Sequence, residues 1–264
     1  MRTWRHRLKR LNRVLSNPTY LRLVGQVPTW RLMLATALAG FGVVLVAHWA
    51  RSAVVGYAYG GLLFLLFTWP LGLTVWRSLR WTEATVGQSL LLALASWAMG
   101  TAATLALGFN PQAARLSRMR WPEALHLLWQ FPLVLPVENL VLLGGLISLW
   151  QWVRPLNGLD RLMVAATAAF LFGLWHVPAW GGWTMVVIGL TVLPWAVYLM
   201  TTGDFLSPML AHIWLDVMAV VSAAAASTPD WRRFVSPGLF LVAMLVGLSY
   251  SLYRDWRHAG RRIH

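Results

Sequence analysis

Residues 134–146 read VLPVENLVLLGGL, an apolar run that is interrupted by one carboxylate, Glu138, and one amide, Asn139. The rest of the chain has the same character, since its 264 residues are 58% hydrophobic and only 11% charged. Soluble globular domains carry about 25% charged residues, with which they cover their surface. A chain this poor in charge cannot do so, and its composition therefore indicates an integral membrane protein.

Long apolar stretches define the expected fold, because a helix that crosses a bilayer needs about 20 predominantly apolar residues. Eight stretches qualify: 32–50, 53–76, 85–108, 124–150, 161–180, 182–201, 205–226 and 235–253. The predicted fold is an all-α, multi-pass membrane bundle of about eight transmembrane helices with an internal polar cavity. We expect three regions: a basic N-terminal segment (1–31), a single transmembrane domain (32–253, with a motif-bearing core at about 85–226) and a basic tail (254–264).

The basic residues indicate the orientation of the chain, since Lys and Arg are retained on the cytoplasmic side. With both termini inside, 16 of the 22 Lys and Arg residues lie inside and 6 outside. Residues 1–31 lack an apolar h-region and are not expected to be a signal peptide. Their apolar residues recur at helical spacing, which predicts an amphipathic helix on an anionic leaflet, with a disordered basic tail as the alternative. We expect a protein of the cell (inner) membrane with cytoplasmic termini, whose charge contacts the bilayer rather than nucleic acid.

Ionisable side chains inside spans are costly and rare, and by default they indicate function. His48, His126 and Asp204 lie near predicted span ends, where interfacial polar residues are expected. Four others lie deeper, on three different spans: Glu138, His176, His212 and Asp216. We expect these four to converge in the interior of the bundle rather than to face lipid.

The local sequence suggests how two of these spans present their polar groups. Pro132 and Pro136 precede Glu138, and proline is tolerated in the first turn of a helix but disrupts its interior. We therefore expect the span 124–150 to break there, with Glu138 in the first turn of the second half. His212 and Asp216 are four residues apart, which places both on one helical face.

Together the four residue types are sufficient for hydrolysing an amide bond. A buried carboxylate can act as the general base for a water, and a neighbouring imidazole can hold the same water and later return a proton. A second histidine paired with an aspartate can be held in one tautomer and donate a hydrogen bond to a developing oxyanion. Zinc ligation by the same four residues is the alternative, although the chain has no HExxH motif and no cysteine.

Three short motifs carry a family resemblance: Glu138-Asn139 with Leu143, Phe172-Gly-Leu-Trp-His176, and His212-Ile-Trp-Leu-Asp216. Their order and spacing resemble the EExxxR, FxxxH and HxxxN/D motifs of the CPBP family. These are intramembrane glutamate endopeptidases that include the CAAX prenyl proteases and the bacteriocin-processing or self-immunity (Abi-like) proteins.

The resemblance implies a role for each matching residue. It implies that Glu138 and His176 activate the water and that His212 and Asp216 stabilise the oxyanion, with Asn139 and Phe172 as supporting residues. It further implies a metal-independent reaction without a cofactor. The implied partner is a peptide or protein substrate that is associated with the membrane or lipidated.

Two positions depart from the family pattern, since Asn139 replaces the second glutamate and Leu143 replaces the arginine. Because both partners are missing, neither leaves an unpaired buried charge, which would be costly, and the two changes are consistent with the loss of a structural ion pair. The same two departures favour, as an alternative function, a catalytically impaired pseudoprotease that acts as a binding or immunity factor. A transporter or proton relay is a further one, but no internal repeat supports it.

Overall fold

The computed structural model describes residues 17–79 and 81–227, together with Val242, Val246 and Ser249. This part of the chain is all-helical and contains no strand, which confirms the predicted fold class. Its helices are α1 (Pro18–Val24), α2 (Thr29–Ala50), α3 (Ala53–Phe67), α4 (Trp69–Ser78), α5 (Glu83–Leu107), α6 (Ala113–Leu116), α7 (Trp121–Leu128), α8 (Phe131–Val153), α9 (Gly158–Trp175), α10 (Val177–Trp180), α11 (Thr184–Thr202) and α12 (Leu206–Ala226).

Six of these helices are long and apolar enough to cross a membrane: α2, α5, α8, α9, α11 and α12. The bent pair α3 and α4 brings the number to as many as seven. The predicted number of eight is thus not confirmed. The eighth predicted span, 235–253, lies outside the described residues except for three isolated positions, as does most of the predicted N-terminal amphipathic helix.

The predicted span 53–76 is not one continuous helix, because α3 and α4 meet at an angle of 104°. The break lies at Thr68, and Pro70 occupies the first turn of α4. Inside a continuous helix Pro70 would remove a backbone hydrogen bond and clash with the preceding turn, whereas in a first turn its missing N–H costs nothing. The Thr68 hydroxyl is fully buried and donates to the Phe64 carbonyl at 2.6 Å, which closes the end of α3.

Helix α8 occupies the centre of the bundle. Of its most apolar window 67% is buried, against 28% to 44% for the other five candidate spans. It contacts α1, α2, α3, α9, α11 and α12, and Leu143, Leu146 and Ile147 are fully buried in the core that these helices share. A side chain on α8 is therefore reached from several helices at once.

The predicted break of the span 124–150 lies elsewhere than expected. Helix α7 ends at Leu128 and α8 begins at Phe131, so the interruption lies at the turn residues 129–130; Pro132 occupies the first turn of α8 while Pro136 lies inside it. Glu138 is consequently the eighth residue of α8 and not in its first turn as predicted, so the free N–H groups of a helix start do not reach it. Its stabilising partners must come from other helices.

Glycines allow α3 to approach its neighbours closely. A Cβ on Gly56 would lie 2.6 Å from both the Val43 carbonyl oxygen and the Ala47 Cβ of α2. A Cβ on Gly61 would lie 2.8 Å from the Val137 side chain of α8, the residue before Glu138. Because real Cβ atoms do not approach this closely, only glycine permits these helix separations.

Helices α9 and α11 are equally close. A Cβ on Gly173 would meet the Met185 carbonyl oxygen and lie 2.9 Å from the Gly189 nitrogen. On the α11 side of the same contact, a Cβ on Gly189 would lie 2.8 Å from the Phe170 ring of α9. This contact holds the last turn of α9, which precedes His176.

The short helix α1 belongs to the bundle rather than only to its surface. Tyr20 and Leu23 are buried, and the Tyr20 ring packs edge-on against Trp150 with ring centroids 5.2 Å apart. The Gln151 side chain donates to the carbonyls of Val24 and Val27, which anchors the segment that follows α1. The cytoplasmic location of this end of the protein stays a prediction.

The glycine contact between α2 and α3 gives a stability prediction. We expect Gly56→Ala to lower the melting temperature in detergent, because overpacking against backbone atoms costs about 1–3 kcal/mol. Gly145→Ala is the control, since a Cβ there meets nothing within 4 Å and alanine favours a helix by roughly 0.5–1 kcal/mol over glycine. Equal melting temperatures for the two variants would contradict the packing argument.

Candidate active site

Four helices bring the candidate site together. Glu138 lies in the third turn of the central helix α8, and His176 lies between the end of α9 and α10. His212 and Asp216 lie in the first half of α12, and Tyr57 reaches the same point from α3. The structure thus brings together all four residues that the sequence analysis singled out.

Glu138 is the centre of the cluster. One carboxylate oxygen, Oε1, lies 3.9 Å from His176 Nε2, and the other, Oε2, lies 3.5 Å from His212 Nε2. His212 Nε2 also lies 3.8 Å from Asp216 Oδ2. These separations are longer than direct hydrogen bonds, so the four groups face one another at distances that a water or a substrate atom can bridge.

The cluster is shielded from its surroundings. The side chains of Glu138 and His212 are each 9% exposed and Asn139 is buried, whereas the Asp216 side chain is 30% exposed. Coulomb interactions at such buried positions are much stronger than in water. Asp216 is thus the member through which the cluster reaches the surface of the bundle.

The backbone determines which nitrogen of His176 carries a proton. His176 Nδ1 lies 2.8 Å from the Phe172 carbonyl oxygen, one turn earlier on α9. Because a carbonyl can only accept a hydrogen bond, Nδ1 is the protonated nitrogen. In the neutral ring the lone pair is then on Nε2, the atom that faces Glu138.

Aromatic rings hold the His176 imidazole in place. Trp180 stacks on it at 5.1 Å with an interplanar angle of 22°, and the rings of Phe172 and Trp175 lie at 4.8 and 5.1 Å. Trp175 is itself anchored, because its indole N–H donates to the Gly40 carbonyl at 3.0 Å. Phe172, predicted as a supporting residue, therefore contacts His176 through both its carbonyl and its ring.

His212 is held from two sides as well. The Trp195 ring lies against it with centroids 4.7 Å apart, and the Asn139 amide nitrogen lies 3.0 Å from Nδ1. Asn139, the other predicted supporting residue, thus contacts the site directly. Leu143, which replaces the arginine of the family motif, is fully buried in the apolar core, where it needs no charged partner.

Tyr57 is a site residue that the sequence analysis missed. Its hydroxyl donates a hydrogen bond to Glu138 Oε1, and its ring packs edge-on against Trp175. A tyrosine in an apolar, glycine-rich span was the available signal, but nothing local distinguishes Tyr57 from Tyr59, which is exposed. The two differ in the helix face that they occupy, since Tyr57 lies on the face of α3 that packs against α8 and Tyr59 does not.

The three ionisable residues near predicted span ends lie outside the cluster. Asp204 caps α12, accepting from the backbone N–H groups of Leu206 and Ser207. His126 contacts the Gln130 side chain at 2.9 Å, and His48 lies in the last turn of α2. In the part of the chain that the structure describes, no group of three or more His, Asp or Glu side chains has an arrangement suited to a metal ion.

Comparison with known proteins agrees with the site. Residues 119–218 match the family model described as type II CAAX prenyl endopeptidase Rce1-like, and this segment contains the four clustered residues that the motifs predicted. No curated protein and no solved structure matches the chain significantly. The matching family is one of membrane proteases, so the family points to peptide hydrolysis within a multi-pass membrane protein. The resemblance that the three motifs predicted is therefore confirmed over residues 119–218, where the chain is similar to the Rce1-like CAAX prenyl endopeptidases.

Proposed function

We propose that the protein is an intramembrane glutamate-type endopeptidase, which hydrolyses a peptide bond with a water activated by Glu138 and His176. The observation that carries this proposal is the position of the Glu138 carboxylate between two imidazoles, 3.9 Å from His176 and 3.5 Å from His212. A buried carboxylate flanked in this way can accept a proton from a water while the water attacks a carbonyl carbon.

His176 completes the activation of the water. Its Nδ1–H is engaged with the Phe172 carbonyl, so Nε2 offers a lone pair on the side of Glu138. A water between these two groups would donate one hydrogen to each, which directs an oxygen lone pair outward to the substrate. The proton taken up by Glu138 or His176 is then available for the leaving amine.

His212 and Asp216 serve the developing oxyanion in this proposal. His212 Nε2 faces the cluster rather than the surrounding helices, and Asp216 follows one turn later on α12 with its carboxylate 3.8 Å away. A hydrogen-bond donor that is already aimed at the forming charge needs no reorganisation during the reaction, which is the main source of oxyanion stabilisation.

The substrate that suits this setting is a peptide segment at the membrane, either membrane-associated or lipidated. The cluster lies on α8 and α12 and at the end of α9, which are candidate spans, so a substrate must reach it from the bilayer or its interface. We propose the cell (inner) membrane, with both termini cytoplasmic, as the location. The reaction needs no cofactor, and the positive charge of the chain contacts lipid headgroups and not nucleic acid.

A pseudoprotease that binds a peptide without cutting it is the second candidate. It is favoured by the two departures from the motif, Asn139 and Leu143, of which the first touches His212 directly. The two candidates differ in what Glu138 must do, because binding needs a polar group there and hydrolysis needs a base.

Replacing the proposed base separates the two candidates. We expect Glu138→Gln to reduce cleavage of an internally quenched, farnesylated peptide by about 10²–10⁴-fold, the range expected for loss of a general base, with binding of the peptide retained. Glu123→Gln, at an exposed acid of α7 that caps its own helix, is the control and should keep its activity. Undiminished cleavage by Glu138→Gln would refute the glutamate mechanism, and binding without cleavage by the unmodified protein would favour the pseudoprotease.

The hydrogen bond from Tyr57 gives a second activity prediction. We expect Tyr57→Phe to lower kcat about tenfold or more with little change in KM, because a hydrogen bond to a charged group is worth about 1.5–3 kcal/mol. Tyr59→Phe, two residues further along α3 and exposed, is the matched control. Identical kinetics for the two variants would show that Tyr57 does not position the base.

Chelation tests the metal-independent mechanism against zinc. We expect dialysis against a strong chelator to leave cleavage of the same peptide unchanged, since a glutamate-activated water needs no Lewis acid. The measurement is the initial rate before and after chelation, with a zinc add-back series. A rate that falls on chelation and returns with zinc would replace the proposed mechanism by a zinc-assisted one.

A further inference from the structure

Asn139 occupies the position where the family motif has a second carboxylate, and its contacts differ in kind from those a carboxylate can make. Its amide nitrogen donates to the Leu135 carbonyl at 2.8 Å and lies 3.0 Å from His212 Nδ1. A primary amide has two N–H donors, so both contacts can be served at once. Asn139 and His212 are both buried, and water does not compete for them.

The Leu135 carbonyl determines which way the Asn139 amide points. In the opposite orientation the amide oxygen would lie 2.8 Å from the Leu135 oxygen, and two acceptors at that distance repel each other. The observed orientation leaves the amide oxygen buried without a partner among the described residues. The amide is thus held by its two donors, although its oxygen remains unpaired.

We propose that Asn139 is a positioning residue that sets the tautomer of His212. Because the Asn139 amide donates to Nδ1, this nitrogen must carry a lone pair, and the ring proton must be on Nε2. Nε2 is the atom that faces Glu138 at 3.5 Å and Asp216 at 3.8 Å. His212 is therefore a neutral imidazole whose N–H is directed into the site. This inference rests on the proposed function for the role of that N–H as an oxyanion donor.

The two histidines of the site are consequently opposite tautomers. His176 has its proton on Nδ1, where the Phe172 carbonyl accepts it, and presents a lone pair to the cluster. His212 has its proton on Nε2 and presents a donor. One imidazole is suited to accept a proton from the water, and the other is suited to donate a hydrogen bond to the oxyanion.

The departure from the motif has a physical consequence at His212. A carboxylate at position 139 can only accept a hydrogen bond, so it would require a proton on Nδ1. A ring with a proton on Nδ1 donates from Nε2 only as the imidazolium. With Asn139 the same Nε2 donor is obtained from a neutral ring. The site then contains one carboxylate fewer, so it does not need the arginine that Leu143 replaces.

The tautomer is measured on the whole protein in detergent micelles by long-range proton–nitrogen NMR of isotope-labelled histidine. The His212 signals are assigned as those absent from His212→Gln. We expect Nε2 of His212 to be protonated and Nδ1 unprotonated in the unmodified protein. We expect Asn139→Asp to place a proton on Nδ1. The matched control is Gln130→Glu, which alters the equivalent amide contact of His126 and should leave the His212 signals unchanged.

Each outcome of this experiment bears on the proposal. A proton on Nδ1 of His212 in the unmodified protein overturns it, even if Asn139→Asp does not fold. If Asn139→Asp folds but leaves the His212 signals unchanged, the proposal also fails.

Kinetics with the farnesylated peptide distinguish this inference from the proposed function. Where the NMR signals of Asn139→Asp show a neutral His212 ring with its proton on Nδ1, Nε2 has a lone pair, and we expect kcat to fall about 10²-fold, the effect of losing one oxyanion donor, with KM unchanged. If the tautomer is as expected but the unmodified protein cleaves no peptide, the proposed function fails while the role of Asn139 at His212 stands. If the tautomer shifts in Asn139→Asp and kcat does not, the shift has no part in catalysis.

Discussion

The burial of the Glu138 carboxylate is the constraint on which the rest of the structure depends. A charge removed from water costs several kcal/mol unless partners surround it, and a position inside α8 offers no free backbone N–H groups. The donors therefore come from other helices: the Tyr57 hydroxyl from α3 and the His212 Nε2 from α12, while His176 faces the same carboxylate from the end of α9. A bundle that separated both α3 and α12 from α8 would leave the carboxylate without a hydrogen-bond donor.

Close helix packing satisfies this constraint. Glycines remove the Cβ atoms that would keep α3 away from α2 and α8, and they bring α9 against α11. Aromatic rings then fill the space around the two imidazoles, so that His176 and His212 are each held by at least one ring. The same contacts that exclude lipid from the centre of the bundle hold the proposed catalytic groups in fixed directions.

The chemistry of the site follows from the partners of its histidines rather than from the histidines alone. A backbone carbonyl one turn earlier holds His176, whereas the side-chain amide of Asn139 holds His212. An acceptor and a donor impose opposite tautomers on two otherwise identical rings. In this view the replacement of a carboxylate by Asn139 changes how the oxyanion donor is made without removing it.

The sequence by itself determined the membrane class, the all-helical fold and the four residues that meet in the site. Low charge and long apolar runs indicate that the protein is surrounded by lipid. Ionisable groups inside such runs are so costly that their presence indicates a functional site. The sequence did not determine the bend at Thr68, the point between α7 and α8 where the predicted span 124–150 is interrupted, or the role of Tyr57. Local proline rules permit several break points, and the choice among them depends on which helices pack together. Tyr57 and Glu138 are 81 residues apart, and only the tertiary structure brings the hydroxyl to the carboxylate, because that contact depends on helix faces and separations that no local pattern encodes.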